Sequence, residues 1–288
     1  TEKMVHSVPL AERPKAPASE YRLPSLTWLA PGTAYLDVPT FSNRPFKEAG
    51  TTFRAVVRDI FEELHRERAK RLILDLRENG GGAEPNESIL FSFLVAEPLH
   101  KYAAVETRGR NLLITSLSGK PFEHQVFDED EINFQRPLKD GRLTRLNAPP
   151  FSLMSHEKKE QPIFAGRLVV LAGGNTFSGG AELASMLHHV RRGVFVGEEV
   201  GGAHEGNTSG YSWRISLPNS ALRLGVPLLQ FRFNWAGLPK SRGVQPHCLT
   251  SPLVSEIGQQ RDRAWRIARA VVQENWKRPE AAVCPAVD

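Results

Sequence analysis

The sequence predicts an α/β protein built on a mostly parallel sheet. Four short apolar runs carry that reading: TAYLDVPTF, RLILDL (Arg71 to Leu76), RLVVLAGG and GVFVGE. Helix-periodic segments separate them, and repeated strand, crossover helix, strand order is the pattern of right-handed parallel units.

Residues 1–31 contain PLAERPKAPASEYRLP and are expected to be an extended arm or the end of a preceding segment. Residues 32–288 form the folded unit, with its first strand from Ala34 to Val38. In TTFRAVVRDIFEELHRERAKR, Phe53, Val56, Val57, Ile60, Phe61 and Leu64 share one helical face. Thr51 or Thr52 stands where a cap is needed. After RLILDL, a run of the kind that makes a buried parallel strand, Asn86 opens a second helix through SILFSFLVA. Residues 98–165 mix short alternating runs with turns such as DEDE and KDGR, and predict no defined arrangement.

Order returns with the strand Leu168 to Ala172. Leu183, Met186, Leu187 and Val190 then recur at helical spacing, in a helix that follows Ser178 and closes on Arg191, Arg192 and Gly193. YSWRISL and ALRLGV alternate as a hairpin around Pro218-Asn219-Ser220, and a last helix is expected from Ser255 to Trp276.

Composition excludes several functions. The 288 residues are 40% hydrophobic, enough for a sizeable core. A net charge of +5 from 37 basic and 32 acidic residues does not point to nucleic acid. No run of 18 apolar residues exists to span a membrane. Two cysteines, Cys248 and Cys284, are too few for a zinc cage or a disulfide-dense scaffold; they can pair in an oxidising compartment but do not establish one. The chain opens at Thr1 without a signal peptide, and a processed or trimmed form of something longer is expected.

Ligands of parallel sheets sit beyond the carboxyl ends of the strands. Two glycine-rich stretches fall at such ends, ENGGGAE and GGNTFSGG. Ser178 in the second has two readings. It caps the helix, worth about 1 kcal/mol, or it is a nucleophile whose oxyanion lies at a helix N-terminus, with the Gly179 N–H as first donor. Thr-Phe-Ser-Gly-Gly is not the Gly-x-Ser-x-Gly elbow of α/β-hydrolases. LDLRENGGG lacks both the dinucleotide spacing and a P-loop lysine, which leaves a loop of unobstructed backbone amides. Such a loop can supply a second oxyanion donor. Asp75 and Arg77 are expected to pair with each other or with backbone.

In their order, LILDLRENGGG, VVLAGGNTFSGGAE, VFVGEEVGGAHEGN and GVQPH resemble the tail-specific, or C-terminal processing, serine peptidases. The wording is most similar to the branch related to tricorn core domains and interphotoreceptor retinoid-binding protein. The resemblance covers about residues 33–275, weakly between 98 and 165. It implies the ββα spiral shared with crotonase and the Clp protease, with 32–288 as a catalytic domain. It also implies Ser178 as nucleophile, Gly179 and Gly81 as oxyanion donors, and no metal or cofactor. The implied substrate is a peptide or unfolded protein, and the implied setting is periplasmic or extracellular.

Two departures follow. The family's better-known members use a serine–lysine dyad, and Ala203 stands at the place of that lysine, with His204 next to it. The segment before the first strand is also too short for the PDZ domain many members carry. His204 is therefore the expected general base, with His188 and His189 as weaker rivals. No aspartate or glutamate occurs from Gly206 to Ser255, which leaves Glu205, Glu182, Glu198 or Glu199 to orient it. The basic residues Arg214, Arg223, Arg232, Lys240 and Arg242 are expected to form a solvated face. The competing function is a non-catalytic binder of peptides or hydrophobic ligands on the same fold.

Overall fold

The computed structural model describes residues 22–108, 111–115, 121–125, 134–147, 152–156, 158–210, 212–217, 219–235, 241–251 and 262–285. Its main sheet runs in the order β1 (Ser25–Ala30), β2 (Thr33–Asp37), β3 (Arg71–Asp75), β9 (Arg167–Ala172), β10 (Val194–Gly197), β15 (Cys248–Leu249). From β2 to β15 every neighbour is parallel, and β1 alone is antiparallel. The mostly parallel α/β architecture is as expected. Residues 25–30, however, are an edge strand rather than part of an extended arm. Trp28 anchors that strand by donating its indole N–H to Glu63 at 2.8 Å.

Alternation along the strands divides the core. Leu72, Leu74, Val170 and Phe195 face helices α2 (Phe53–Arg66), α3 (Asn86–Leu94) and α4 (Gly179–His189). Ile73, Val169, Leu171 and Val196 face the other way, onto Ile267, Ala268, Val271 and Val272 of α5 (Arg263–Gln273). Both faces are covered, so these strands read as continuous apolar runs.

Thr52 caps α2, its hydroxyl accepting from the Ala55 N–H at 3.2 Å. Val56, placed on the buried face by periodicity, is only half-buried at its margin. A short helix, α1 (Arg44–Glu48), was not expected. The end of α4 differs from expectation too. Arg191, not a glycine, takes the left-handed conformation, φ 53°. Arg192 N–H then donates to Leu187 O (2.9 Å) and Arg191 N–H to His188 O (3.0 Å), a Schellman closure. Gly193 is needed for packing, since a Cβ there would meet Leu168 O at 2.8 Å.

The segment 98–165 supplies most of a second, antiparallel sheet. Its order is β11 (Gly206–Asn207), β14 (Leu229–Phe233), β4 (Tyr102–Thr107), β8 (Leu143–Arg145), β7 (Phe134–Pro137). The same segment forms the hairpin of β5 (Asn111–Thr115) and β6 (Pro121–Gln125). The hairpin expected around residue 219 pairs β12 (Ser212–Ser216) with β13 (Arg223–Pro227); Tyr211 and Pro218 of that expectation lie outside the described residues. Of the last helix, expected from Ser255, residues 255–261 lie outside them as well, and α5 stops at Gln273. Cys248 and Cys284 form a disulfide, Cα–Cα 5.4 Å, that fastens the C-terminal segment to β15. Among the described residues no helix is long and apolar enough to cross a membrane.

Candidate active site

Strands β3 and β9 are direct neighbours, with Asp75 beside Leu171, so their following loops emerge together. Asn79 locks one loop to the other. Its carbonyl accepts from Phe177 N–H (3.0 Å) and its side chain donates to Val38 O (2.9 Å). Its Oδ1 accepts from Gly81 N–H at 2.9 Å. Asn79 is fully buried, and its place just before a glycine run was the only sequence sign of this role. Thr176 adds a second lock, donating to Leu76 O at 2.8 Å. Asp75 and Arg77 pair with each other, as expected, at 2.6 Å.

Ser178 begins α4 with φ 49° and ψ −124°, and its side chain makes no capping hydrogen bond. A capping serine has extended backbone and accepts from the first turn. Neither holds here. A non-glycine residue at positive φ costs on the order of 1–3 kcal/mol, and such outliers gather at functional sites. The strained strand-to-helix turn of a nucleophile elbow is thus present with Gly180 at that motif's last position but Thr176 in place of its first glycine. Ser178 is half-buried, and no described residue hydrogen-bonds its Oγ.

Gly81 takes φ 94° directly against this serine: a Cβ on it would lie 2.6 Å from Ser178 Cβ and 2.8 Å from Gly179 N. Its own N–H is held by Asn79, which removes it as an oxyanion donor and corrects the assignment read from the sequence. Gly82 bridges Phe41 in parallel register, through Phe41 N–H to Gly81 O and Ala83 N–H to Phe41 O. That pattern turns the Gly82 N–H away from Phe41. No described acceptor takes it, and a Cβ on Gly179 would lie 3.8 Å from Gly82 N. The first N–H of α4, from Gly179, also has no intrahelical partner. Both amides thus lie close to Ser178 without a partner among the described residues.

A family model described as Peptidase family S41 matches residues 32–249, most of the chain. The chain belongs to peptidase family S41. Its fold is similar to mature CPAF complexed with lactacystin, with TM-score 0.54, 15% identity, and coverage of 84% of this chain and 51% of that one. A photosystem II D1 C-terminal processing protease matches with TM-score 0.43 and 19% identity, over 84% of this chain and 47% of that one. Tricorn protease matches with TM-score 0.39 and 12% identity, over 84% of this chain and 18% of that one. This S41 chain thus spans about half the length of the first two and far less of tricorn. No curated protein sequence matches it.

In this S41 chain the expected Ser178–His204 pair is not formed. His204 is buried, and its ring lies 5.4 Å from that of His188, in the last turn of α4. The loop itself passes the serine, a Cβ on Gly202 falling 3.7 Å from Ser178 N, but the His204 ring packs on His188, ten positions further along α4. Backbone bonds hold His204 there: its N–H donates to Arg242 O (2.8 Å) and its carbonyl accepts from Trp235 Nε1 (2.9 Å). Burial, then His188 and His189, depress its pKa to about 4, and its buried Nδ1 has no hydrogen-bond partner among the described residues.

One charged cluster was not anticipated. Lys101, Glu87 and Glu182 are all buried, with Lys101 Nζ 2.7 Å from Glu87 and 3.4 Å from Glu182. Glu182 also accepts from the Tyr102 hydroxyl and from Asn207 Nδ2 (2.8 Å), and its own N–H donates to Ser178 O. Burial alone would lower the Lys101 pKa, but Glu87 and Glu182 outweigh it and hold the ammonium above lysine's ordinary value. The lysine therefore reaches a glutamate one helical turn beyond the serine, with its protonated form favoured. Burial raises the Glu182 pKa, opposed by Lys101. Each partner comes from a different element, so no local motif announces the cluster.

Proposed function

We propose that this protein is a serine peptidase that cuts peptides or unfolded proteins through an acyl-enzyme on Ser178. The observation that carries the reading is the strained Ser178 backbone with two unpartnered amides beside it. In this mechanism Ser178 Oγ attacks the scissile carbonyl carbon as its proton leaves to a base. The developing oxyanion lies between the N–H groups of Gly179 and Gly82, preorganised donors of the kind worth about 2.7–4 kcal/mol each. Collapse breaks the C–N bond, the amine departs with a proton, and water hydrolyses the ester.

The ββα spiral shared with crotonase belongs to the same proposal, supported by the second antiparallel sheet beside the parallel one. So does a periplasmic or extracellular setting, which the Cys248–Cys284 disulfide supports because such bonds persist in oxidising compartments. The competing reading, a binder that keeps the fold, is favoured by one observation. No described side chain bonds Ser178 Oγ, and the histidine beside the lysine position is held elsewhere.

A serine-directed phosphonate separates the two. The peptidase reading expects one adduct, on Ser178, absent from Ser178→Ala and accompanied by peptide cleavage in the untreated protein. No adduct together with no cleavage leaves the binder.

A further inference from the structure

The amino ends of three strands carry a row of polar side chains. Thr33, Arg71 and Arg167 are in-register neighbours on β2, β3 and β9. Adjacent strands lie about 4.8 Å apart, so the three stand side by side. Ala34, Leu72 and Leu168, the next residue of each strand, face α2, α3 and α4. Alternation therefore turns Thr33, Arg71 and Arg167 to the face that α5 covers. The backbone beneath them is fixed. Gly32 O accepts from Lys70 N–H (2.9 Å) and Arg71 N–H (3.1 Å), and Arg167 N–H donates to Lys70 O at 2.9 Å.

Thr33 is buried, and its hydroxyl has no hydrogen-bond partner among the described residues. Arg71 and Arg167 are half-buried, with Nε of the first and Nη1 of the second buried and equally without partners. Neither guanidinium pairs with a described carboxylate. α5 starts beside the carboxyl ends of the strands, where Asp262 accepts from Arg77 at 2.6 Å, so its last turn lies toward this amino end. The carboxylates that follow that turn are engaged elsewhere. Glu274 accepts from Val283 N–H (3.2 Å), and Glu280 pairs with Arg191 (3.3 Å). Buried polar groups are hydrogen-bonded as a rule, and an arginine cannot shed its charge by losing a proton. An anion between the two guanidiniums meets both needs at once, supplying acceptors and removing their mutual repulsion.

We propose that Thr33, Arg71 and Arg167 bind a tetrahedral oxyanion of the phosphate or sulfate class, at the end of the sheet opposite Ser178. Forked guanidinium donors match the oxygens of such an ion, and the hydroxyl adds a further donor. Bound there, the ion ties β3 to β9, the strands whose other ends carry the glycine loop and the serine loop. The site is independent of the peptidase reading, and the failure of either leaves the other standing.

Calorimetric titration of the full chain with inorganic phosphate or sulfate, at an ionic strength held constant with potassium chloride, should show one saturable site. Melting temperature should rise with the same concentration dependence. Arg71→Gln and Arg167→Gln should each weaken binding roughly tenfold or more, and Thr33→Val less. If the glutamine variants do not fold, Arg71→Lys and Arg167→Lys replace them; these keep the charge but lose the fork, and should also bind more weakly than wild type. Glycerol 2-phosphate separates the sources: binding as tight as that of inorganic phosphate assigns the site to phosphate esters, and weaker binding to the free ion. Both ions also stabilise proteins by exclusion from the surface. A rise in melting temperature that never saturates, or that persists undiminished in the arginine variants, is that general effect and overturns the proposal. So does acetate binding as tightly as phosphate, or no saturable binding by either method in the wild type, in which case water satisfies these donors.

Discussion

Gly81 lies against Ser178 with no space for a side chain between them, a Cβ at 81 falling 2.6 Å from Ser178 Cβ. The glycine loop therefore forms the wall that fixes where the serine sits. Asn79 holds that wall, through Gly81 N–H, Val38 O and Phe177 N–H.

Asn79→Ala should consequently weaken both fold and turnover. It leaves the buried Gly81 N–H and Val38 O without the partners Asn79 supplies, at about 1–3 kcal/mol each. A fall of ten- to a hundredfold in kcat is expected, with KM less affected, because the amides facing the oxyanion lose their alignment. Steady-state kinetics and urea denaturation measure both. Unchanged kcat in a destabilised protein would show that the loop is merely structural.

Ser178→Ala should abolish cleavage with little change in melting temperature, since the hydroxyl forms no cap and alanine suffers the same positive φ. Ser178→Gly is equally inactive but relieves the backbone, and should melt above Ser178→Ala. If the two variants melt alike, the strain assigned to this turn is absent in solution.

His204→Leu should keep most of its turnover at pH 8, because the ring packs on His188 rather than on the serine. Its effect belongs in the acid range. The folded pKa, about 4, lies below the ordinary value of 6.5, so the unfolded chain binds more protons between those limits. Wild-type stability from this residue is complete above about pH 6.5 and is lost as pH falls towards 4, by roughly 2–4 kcal/mol. The leucine variant should show a flatter profile of unfolding free energy over that window. A loss of turnover beyond a hundredfold with an unchanged fold would mean that residues 201–205 carry the ring to Ser178 during catalysis.

Replacing Cys248 and Cys284 together by serine should cost about 4 kcal/mol. The bond closes a loop with a sequence separation of 36, and chain-entropy arguments scale with that length. Thermal melts of wild type and double variant measure it, while a thiol titration of the unreduced protein should find no free cysteine. Equal melting temperatures would remove the disulfide as a support of the fold.

What the sequence determined by itself was whatever depends on neighbours along the chain. The strands around Leu74, Val170 and Phe195, the helices between them and both glycine loops were legible from apolar spacing and glycine placement. The mostly parallel order followed from their succession. Three matters were left to the tertiary structure. β1 is an edge strand whose half-exposed side chains dilute the apolar signal, so residues 25–30 read as an arm. The Lys101–Glu87–Glu182 cluster joins elements far apart in sequence, and only burial makes its pairing matter. The positions of His204 and Gly82 turn on backbone bonds, to Arg242 and Trp235 for one and beside Phe41 for the other. A sequence shows that a histidine follows a glycine loop. Which way the ring faces is decided by the strands and helix that the loop must join, because those contacts fix its backbone before the side chain has any choice.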